Sequence, residues 1–166
     1  AARKRAQMGS LIHFIRLVLQ SGDRIVEFGA GSGHLGILLA YLFPETRMVL
    51  VEPREISVAQ ARERINQLGI SNCEVHHGMV DDFAKALAES GDGFQLGVSL
   101  HSCGFLTDQS FQLCVAHNAA FVLCPCCYGQ VGEGGVYPRS AAFSQAVSKE
   151  DFSGVCSGAD FTVRAG

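Results

Sequence analysis

Three glycines alternate in Glu27-Phe-Gly-Ala-Gly-Ser-Gly33, directly after a short apolar run, and an acid, Glu52, ends the next such run. Glycine at positions 29, 31 and 33 lets a backbone turn sharply and approach a ligand with no β-carbon in the way. An acid at the end of a second strand can accept hydrogen bonds from ribose hydroxyls. Together they point to a ligand that contains adenosine. The glycines alone leave its tail open, because Gly31-Ser-Gly33-His-Leu-Gly36 also satisfies the G-x-G-x-x-G pattern of dinucleotide binding. Glu27 separates the two cases: its carboxylate would repel a pyrophosphate and stabilise the ammonium of S-adenosylmethionine. The expected cofactor contacts are Glu27, Gly29, Ala30, Gly31, Gly33, Glu52 and Pro53. At the end of a third predicted strand, Gly78-Met-Val-Asp81-Asp82 would frame the adenine through Val80 and Asp81, although either aspartate could equally cap a helix beginning near Phe83.

A second group of reactive side chains lies further on. Leu100-His-Ser-Cys-Gly104 leads into Thr107-Asp108, and Cys124-Pro-Cys-Cys-Tyr128-Gly129 follows the fifth apolar run. If these two runs are neighbouring strands, His101, Cys103, Cys126, Cys127 and Tyr128 converge where an open α/β sheet binds its ligand. Methyl transfer from a sulfonium needs positioning, plus a base when the acceptor is a hydroxyl. His101 is the candidate base and Asp108 its orienting or substrate-binding partner, with helix capping the alternative for Asp108. Cys103, Cys126, Cys127 and Tyr128 are the candidate substrate contacts. Facing His/Cys loops could hold zinc, but Cys-Pro-Cys-Cys is not the usual C-x-x-C knuckle, so no metal is expected.

The elements that must position these residues follow from periodicity and punctuation. Apolar residues at helical spacing predict a leading helix over 6–20. Strands are predicted over 24–28, 48–51, 73–77, 94–100 and 120–124, and helices over 35–43, 56–68, 83–89 and 107–117. Gly69 stands where a helix favours a left-handed cap. Such alternation implies a doubly wound, mostly parallel sheet with helices on both faces.

The 166 residues have the length of one domain, spanning 1–166. With 48% hydrophobic and 17% charged residues the composition is globular, and no apolar stretch approaches the roughly 20 residues of a membrane helix. A net charge of -3 gives no broad field for a polyanion; Arg3-Lys4-Arg5 is a local basic cluster. Seven cysteines, an odd number, without a signal peptide suit a reducing, cytoplasmic compartment rather than a disulfide framework. The start, Ala1-Ala-Arg-Lys-Arg5, reads as a cut end of a longer chain with flanking regions.

Arg3-Lys-Arg-Ala-Gln7, Glu27 to Gly33, His101-Ser-Cys-Gly-Phe-Leu-Thr-Asp108 and Cys124-Pro-Cys-Cys-Tyr-Gly129, followed by Tyr137-Pro-Arg-Ser140 and Ala159-Asp160, resemble one group of proteins. It is the methyltransferase domain of the glutathione S-transferase C-terminal domain-containing proteins, with a more distant likeness to tRNA 2′-O-methyltransferases of the acceptor stem. The resemblance implies a Rossmann-like class I methyltransferase, S-adenosylmethionine held by Glu27, Gly29, Gly31, Gly33 and Glu52, and the His101 and Cys126-Cys127 loops beside the acceptor. It points to an RNA hydroxyl or base as that acceptor. The tRNA enzymes tend to carry His where this chain has Tyr128, so their substrate is not carried over. Class I domains usually end in an antiparallel strand pair, for which only Asp160-Phe-Thr-Val-Arg164 remains, so a truncated sheet is expected. An inactive cofactor-binding module attached to a glutathione transferase-like segment and a nicotinamide-dependent oxidoreductase are the competing readings.

Overall fold

Ile25 and Val26, neighbours on one strand and both fully buried, set the layering, because successive side chains of a strand point to opposite faces. Ile25 joins Leu11, Ile15, Leu35, Leu39, Met48, Leu50 and Ile65 in one apolar cluster. Val26 joins Phe28, Val49, Val51, Phe83, Leu87 and Phe94 in the other. A sheet covered on both faces explains why a central stretch such as Met48 to Val51 reads as a continuous apolar run.

The computed structural model describes residues 2–127 and 140–164, with the side chains of 5–127 and 140–159. Its elements are α1 (Ala2–Val18), β1 (Arg24–Phe28), α2 (His34–Leu42), β2 (Arg47–Glu52), α3 (Glu55–Gln67), β3 (Cys73–His77) and α4 (Val80–Ser90). They continue with β4 (Leu96–Ser102), α5 (Phe105–Ala116), β5 (Ala120–Pro125), α6 (Ala141–Ala146) and α7 (Lys149–Arg164). The five strands form one sheet in the order β3-β2-β1-β4-β5, and every pairing is parallel. The order reverses between β1 and β4, which makes the carboxyl ends of those two strands the expected ligand crevice. No helix among the described residues is long and apolar enough to cross a membrane.

The predicted alternation matches the structure through β5 with departures at element ends, whereas α6 and α7 were not predicted. The first helix ends at Val18 rather than reaching Gln20, whose amide instead donates to Asp23 Oδ2 at 2.8 Å. Gly69 follows α3 with φ 63°, the left-handed value expected of it. The fourth helix starts at Val80 rather than Phe83, so Asp81 and Asp82 lie in its first turn and neither is its N-cap. Asp82 reaches back to accept from the Met79 amide at 3.1 Å, a carboxylate against the positive helix end. The segment 160–164, expected as a remnant of an antiparallel strand pair, is instead the end of α7. That helix is set by Ser148, whose hydroxyl accepts from the Asp151 amide at 3.0 Å and donates to the Asp151 carboxylate at 2.7 Å. Tyr128, the Gly129–Gly135 loop and Tyr137-Pro-Arg139 lie outside the described residues.

Close packing of α2 on the sheet depends on Gly36. A β-carbon there would stand 2.2 Å from Leu50 Cδ2, 2.6 Å from Glu27 Oε2 and 2.9 Å from Met48 Cε. At Gly154, inside α7, the same β-carbon meets nothing within 4 Å. Gly36→Ala is therefore expected to cost about 1–3 kcal/mol by overpacking, and Gly154→Ala to stabilise by about 0.5–1 kcal/mol through helix propensity. Urea unfolding midpoints of the two variants should move in opposite directions.

Candidate functional site

The glycine turn between β1 and α2 is held by its own backbone. The amides of Gly29 and Ala30 both donate to Val51 O, at 2.9 and 3.1 Å, and the Gly33 amide donates to Ala30 O at 3.0 Å. Gly29, Gly31 and Gly33 all have positive φ, of 67°, 57° and 77°. This is the left-handed region in which a β-carbon is costly. From α3, Arg64 Nη1 clamps the outside of the turn by donating to Ser32 O at 3.0 Å.

Both acids predicted at this end are buried, and both are engaged by the turn. Glu27 is 3% exposed and its Oε2 accepts from the Gly36 amide, in the first turn of α2, at 2.8 Å. Its carboxylate thus neutralises the positive helix end that would otherwise attract an anion. Glu52 is 2% exposed; Oε2 accepts from the Gly31 amide at 2.8 Å, and Oε1 accepts from Arg54 through its amide at 3.1 Å and its Nε at 2.8 Å. The hydrogen bond from Arg54 to Glu52, with the attraction between their charges, pushes the Arg54 guanidinium above its ordinary value. The Arg54 side chain is 73% exposed, so it covers Glu52 from the solvent side.

Beside the turn lies a cleft of about 300 Å³, lined by residues that include Gly29, Val51, Pro53, Val80, Cys103 and Leu106. It brings four predicted site residues together: Gly29, Pro53, Val80 and Cys103. Leu106 lies so close to Gly29 that a β-carbon there would come within 2.6 Å of Leu106 Cδ2. Asp81 sits at its margin and accepts from Gln109 Nε2 at 3.4 Å, linking α4 to α5. Sequence reasoning missed Met79, Phe105, Leu106 and Gln109 in this lining and Arg54 on Glu52. Phe105-Leu106 directly after Gly104, two large apolar residues at a strand-to-helix turn, was the available signal. A larger hollow, of about 790 Å³, lies at the amino ends of the strands around Arg24, Glu74 and Asp92, away from the crevice.

His101 owes its position to an irregularity in β4. Leu100 pairs with Cys124 and Ser102 with Pro125, so His101 is an extra residue opposite the β4–β5 ladder. It adopts φ 65° and is exposed, whereas Ser102 turns inward, 1% exposed, with its Oγ 2.6 Å from Ser99 Oγ. Such bulges re-aim a side chain beside a binding site, and a non-glycine residue in this region stores strain. Asp108 lies in the first turn of α5, whose N-cap is Gly104, so capping does not explain it. Among the described residues no hydrogen bond or ion pair joins His101 to Asp108, and neither lines the 300 Å³ cleft.

Cys103, Cys126 and Cys127 do converge, and Tyr128 lies outside the described residues. Burial, reinforced by hydrogen bonds with the two neighbouring thiols, pushes the Cys103 thiol far above its ordinary range. Burial also raises Cys126. Free thiolate nucleophiles are not expected of such thiols.

A family model described as a methyltransferase domain matches residues 3–134. The chain belongs to that family. A glutathione S-transferase C-terminal domain-containing protein homolog of Drosophila melanogaster is 39% identical over 160 residues, 95% of this chain and 26% of the relative. The glutathione S-transferase C-terminal domain-containing protein of Homo sapiens is 36% identical over 165 residues, 98% of this chain and 25% of the relative. The chain thus spans about a quarter of the length of these relatives. Among solved structures, coclaurine N-methyltransferase bound to N-methylheliamine and SAH shares the fold with a TM-score of 0.56. That likeness has 15% identity and covers 74% of this chain and 36% of the other.

Glu27 tests the turn directly. Glu27→Ala would leave the Gly36 amide buried without its acceptor and is expected to cost about 1–3 kcal/mol. Glu27→Gln keeps an acceptor oxygen and should cost less. Chemical denaturation of the three proteins in parallel checks this order.

Proposed function

We propose that the chain binds S-adenosylmethionine in the cleft at the carboxyl ends of its strands and directs methyl transfer to an RNA hydroxyl or base. The observation that carries the cofactor is the Glu27 carboxylate on the Gly36 amide, 2.8 Å away at the start of α2. In a dinucleotide site the pyrophosphate takes that helix end. Here a buried negative charge holds it, and the Gly29, Ala30 and Gly31 amides are committed within the protein. The same charge favours a cationic ligand, which supports S-adenosylmethionine over a nicotinamide dinucleotide.

The residues fit the rest of that cofactor. Val51, Pro53, Met79, Val80, Phe105 and Leu106 offer an apolar slot for a flat base. Glu52 offers carboxylate oxygens to ribose hydroxyls once Arg54 swings away, and the exposed Arg54 side chain is free to do so at little packing cost. Asp81 stands at the slot's edge as a polar partner for the adenine. S-adenosylmethionine supplies an electrophilic methyl group on a sulfonium. The protein's part is to align an acceptor with it and to take the acceptor's proton. His101, raised out of the strand by its bulge, is the base, and Asp108 binds or orients the acceptor. Cys103, Cys126 and Cys127, with Tyr128, border the acceptor. The RNA assignment rests on the resemblance of the His101 and Cys126-Cys127 segments to RNA-modifying relatives. Cytoplasmic location and flanking domains belong to this same reading.

Calorimetry with two ligands tests the cofactor. S-adenosylhomocysteine at about a hundred times its dissociation constant should stabilise the native protein by about 2.7 kcal/mol, and NADH should not. The reverse result would return the chain to the oxidoreductases. Incubation with labelled methyl donor and total RNA, then with total protein, tests the acceptor. Label is expected in RNA, and His101→Ala should lower it by about two to four orders of magnitude. Equal labelling by His101→Ala would remove His101 from the reaction, and cofactor binding without any labelling would mark a binding module.

A further inference from the structure

The paired ends of β4 and β5 carry three thiols in mutual contact, and the proposed methyl transfer uses none of them as a reactant. Cys103 Sγ lies 2.8 Å from Cys126 Sγ, across 23 residues of chain, and Cys126 Sγ lies 4.0 Å from Cys127 Sγ. All three sulfurs fall within 4.8 Å of one another, and all three residues are partly buried. The register explains the meeting. Ser102 pairs with Pro125, so the next residue on each chain, Cys103 and Cys126, leave the ladder side by side. The bulge at His101 is what brings Ser102 into that register. The other cysteines, at 73, 114, 124 and 156, form no such group among the described residues.

Thiols are weak hydrogen-bond donors and acceptors, so packing three together gains little as such. As thiolates around one ion they gain much more. Sulfurs bound tetrahedrally to zinc at about 2.3 Å stand about 3.8 Å apart, within the span of separations seen here. A disulfide would engage only two of the three and needs an oxidant. Four-cysteine iron–sulfur sites need one more ligand of the same kind.

We propose that Cys103, Cys126 and Cys127 form a three-thiolate zinc site that ties the β4–α5 turn to the end of β5. As the three sulfur–zinc bonds form, each thiol releases one proton to solvent. To fit the ion, Cys103 and Cys126 move apart by about an ångström. Three protein ligands leave a fourth position, which water or an acceptor group can occupy. Cys103 also lines the cleft beside Gly104, Phe105 and Leu106, so the ion would brace one wall of it. It would also tie the chain two residues beyond the strained His101 to the end of β5. The site stands independently of the acceptor's identity.

Elemental analysis of the purified protein, prepared with a non-chelating reductant and zinc in the medium, tests this. Wild type is expected to carry about one zinc per chain that Cys126→Ser loses and Cys73→Ser keeps. Circular dichroism establishes whether the Cys126→Ser protein is folded. Should it not be, cobalt titration of the chelator-treated wild type decides alone. An intense sulfur-to-cobalt charge-transfer band, saturating at about one equivalent and displaced by zinc, supports the site. The proposal fails if wild type holds no zinc and gives no such band, if Cys126→Ser folds and keeps the zinc, or if peptide mapping finds a Cys103–Cys126 disulfide in place of metal.

Discussion

The carboxylate of Glu27, buried against the first turn of α2, is the constraint from which the cofactor side of the protein follows. A charge that is 3% exposed must be matched by donors, and the Gly36 amide at 2.8 Å is one of them. That contact requires α2 to lie almost on β1 and β2, and only a glycine at position 36 leaves room for it. With the helix so close, the connecting turn has to reverse within a few residues, which is why positions 29, 31 and 33 all take positive φ. The turn's amides then find Val51 O and Glu52 on the neighbouring strand. One acid thus couples the packing of α2, the shape of the turn and the charge presented to a ligand.

The β4–β5 side is built differently. It rests on β4 and β5, whose ladder contains one extra residue, His101. A bulge costs strain at φ 65°, and it alters which residues face which way. It exposes the imidazole, buries Ser102 against Ser99 and brings Cys103 beside Cys126. Removing the extra residue would shift all of these together, so the exposed imidazole, the buried serine pair and the thiol cluster are one structural unit.

Much of this was legible in the sequence, and the remainder was hidden for physical reasons. The strand and helix alternation was readable because a sheet buried on both faces leaves uninterrupted apolar runs, such as Met48 to Val51. Helix starts were less so. Val80 begins α4 ahead of the acids, because Asp82 can reach back to the Met79 amide from inside the helix as well as cap it from outside. The fate of 160–164 turned on Ser148, a capping residue sixteen positions before Arg164. At the site, residue types named Glu27 and Glu52, but only coordinates reveal that each spends an oxygen on the glycine turn. Arg54 was missed because nothing in its type distinguishes it; its position against Glu52 does, whereas Leu106, whose only sequence signal was its place after Gly104, is singled out by its approach to Gly29. The convergence of Cys103 with Cys126 was conditional on β4 and β5 being neighbours, and on a bulge that no spacing rule announces.

The two halves meet at the switch between β1 and β4, and this division assigns the work. At the β1–α2 turn the amides are satisfied internally, Gly36 by Glu27, Gly31 by Glu52, and Gly29 and Ala30 by Val51 O, so the turn leaves little ordering for a ligand to induce. In the other half, His101 is exposed and strained, and the thiols beside it are held only by weak contacts. Methyl transfer depends on alignment to within fractions of an ångström, which a strained, weakly held wall supplies poorly by itself. Two links can tie the β4–β5 end to the turn. Leu106, packed on Gly29, contributes from the cleft side. Coordination of the three sulfurs would do so from the other, joining the bulge to β5 through bonds far stronger than the thiol contacts they replace.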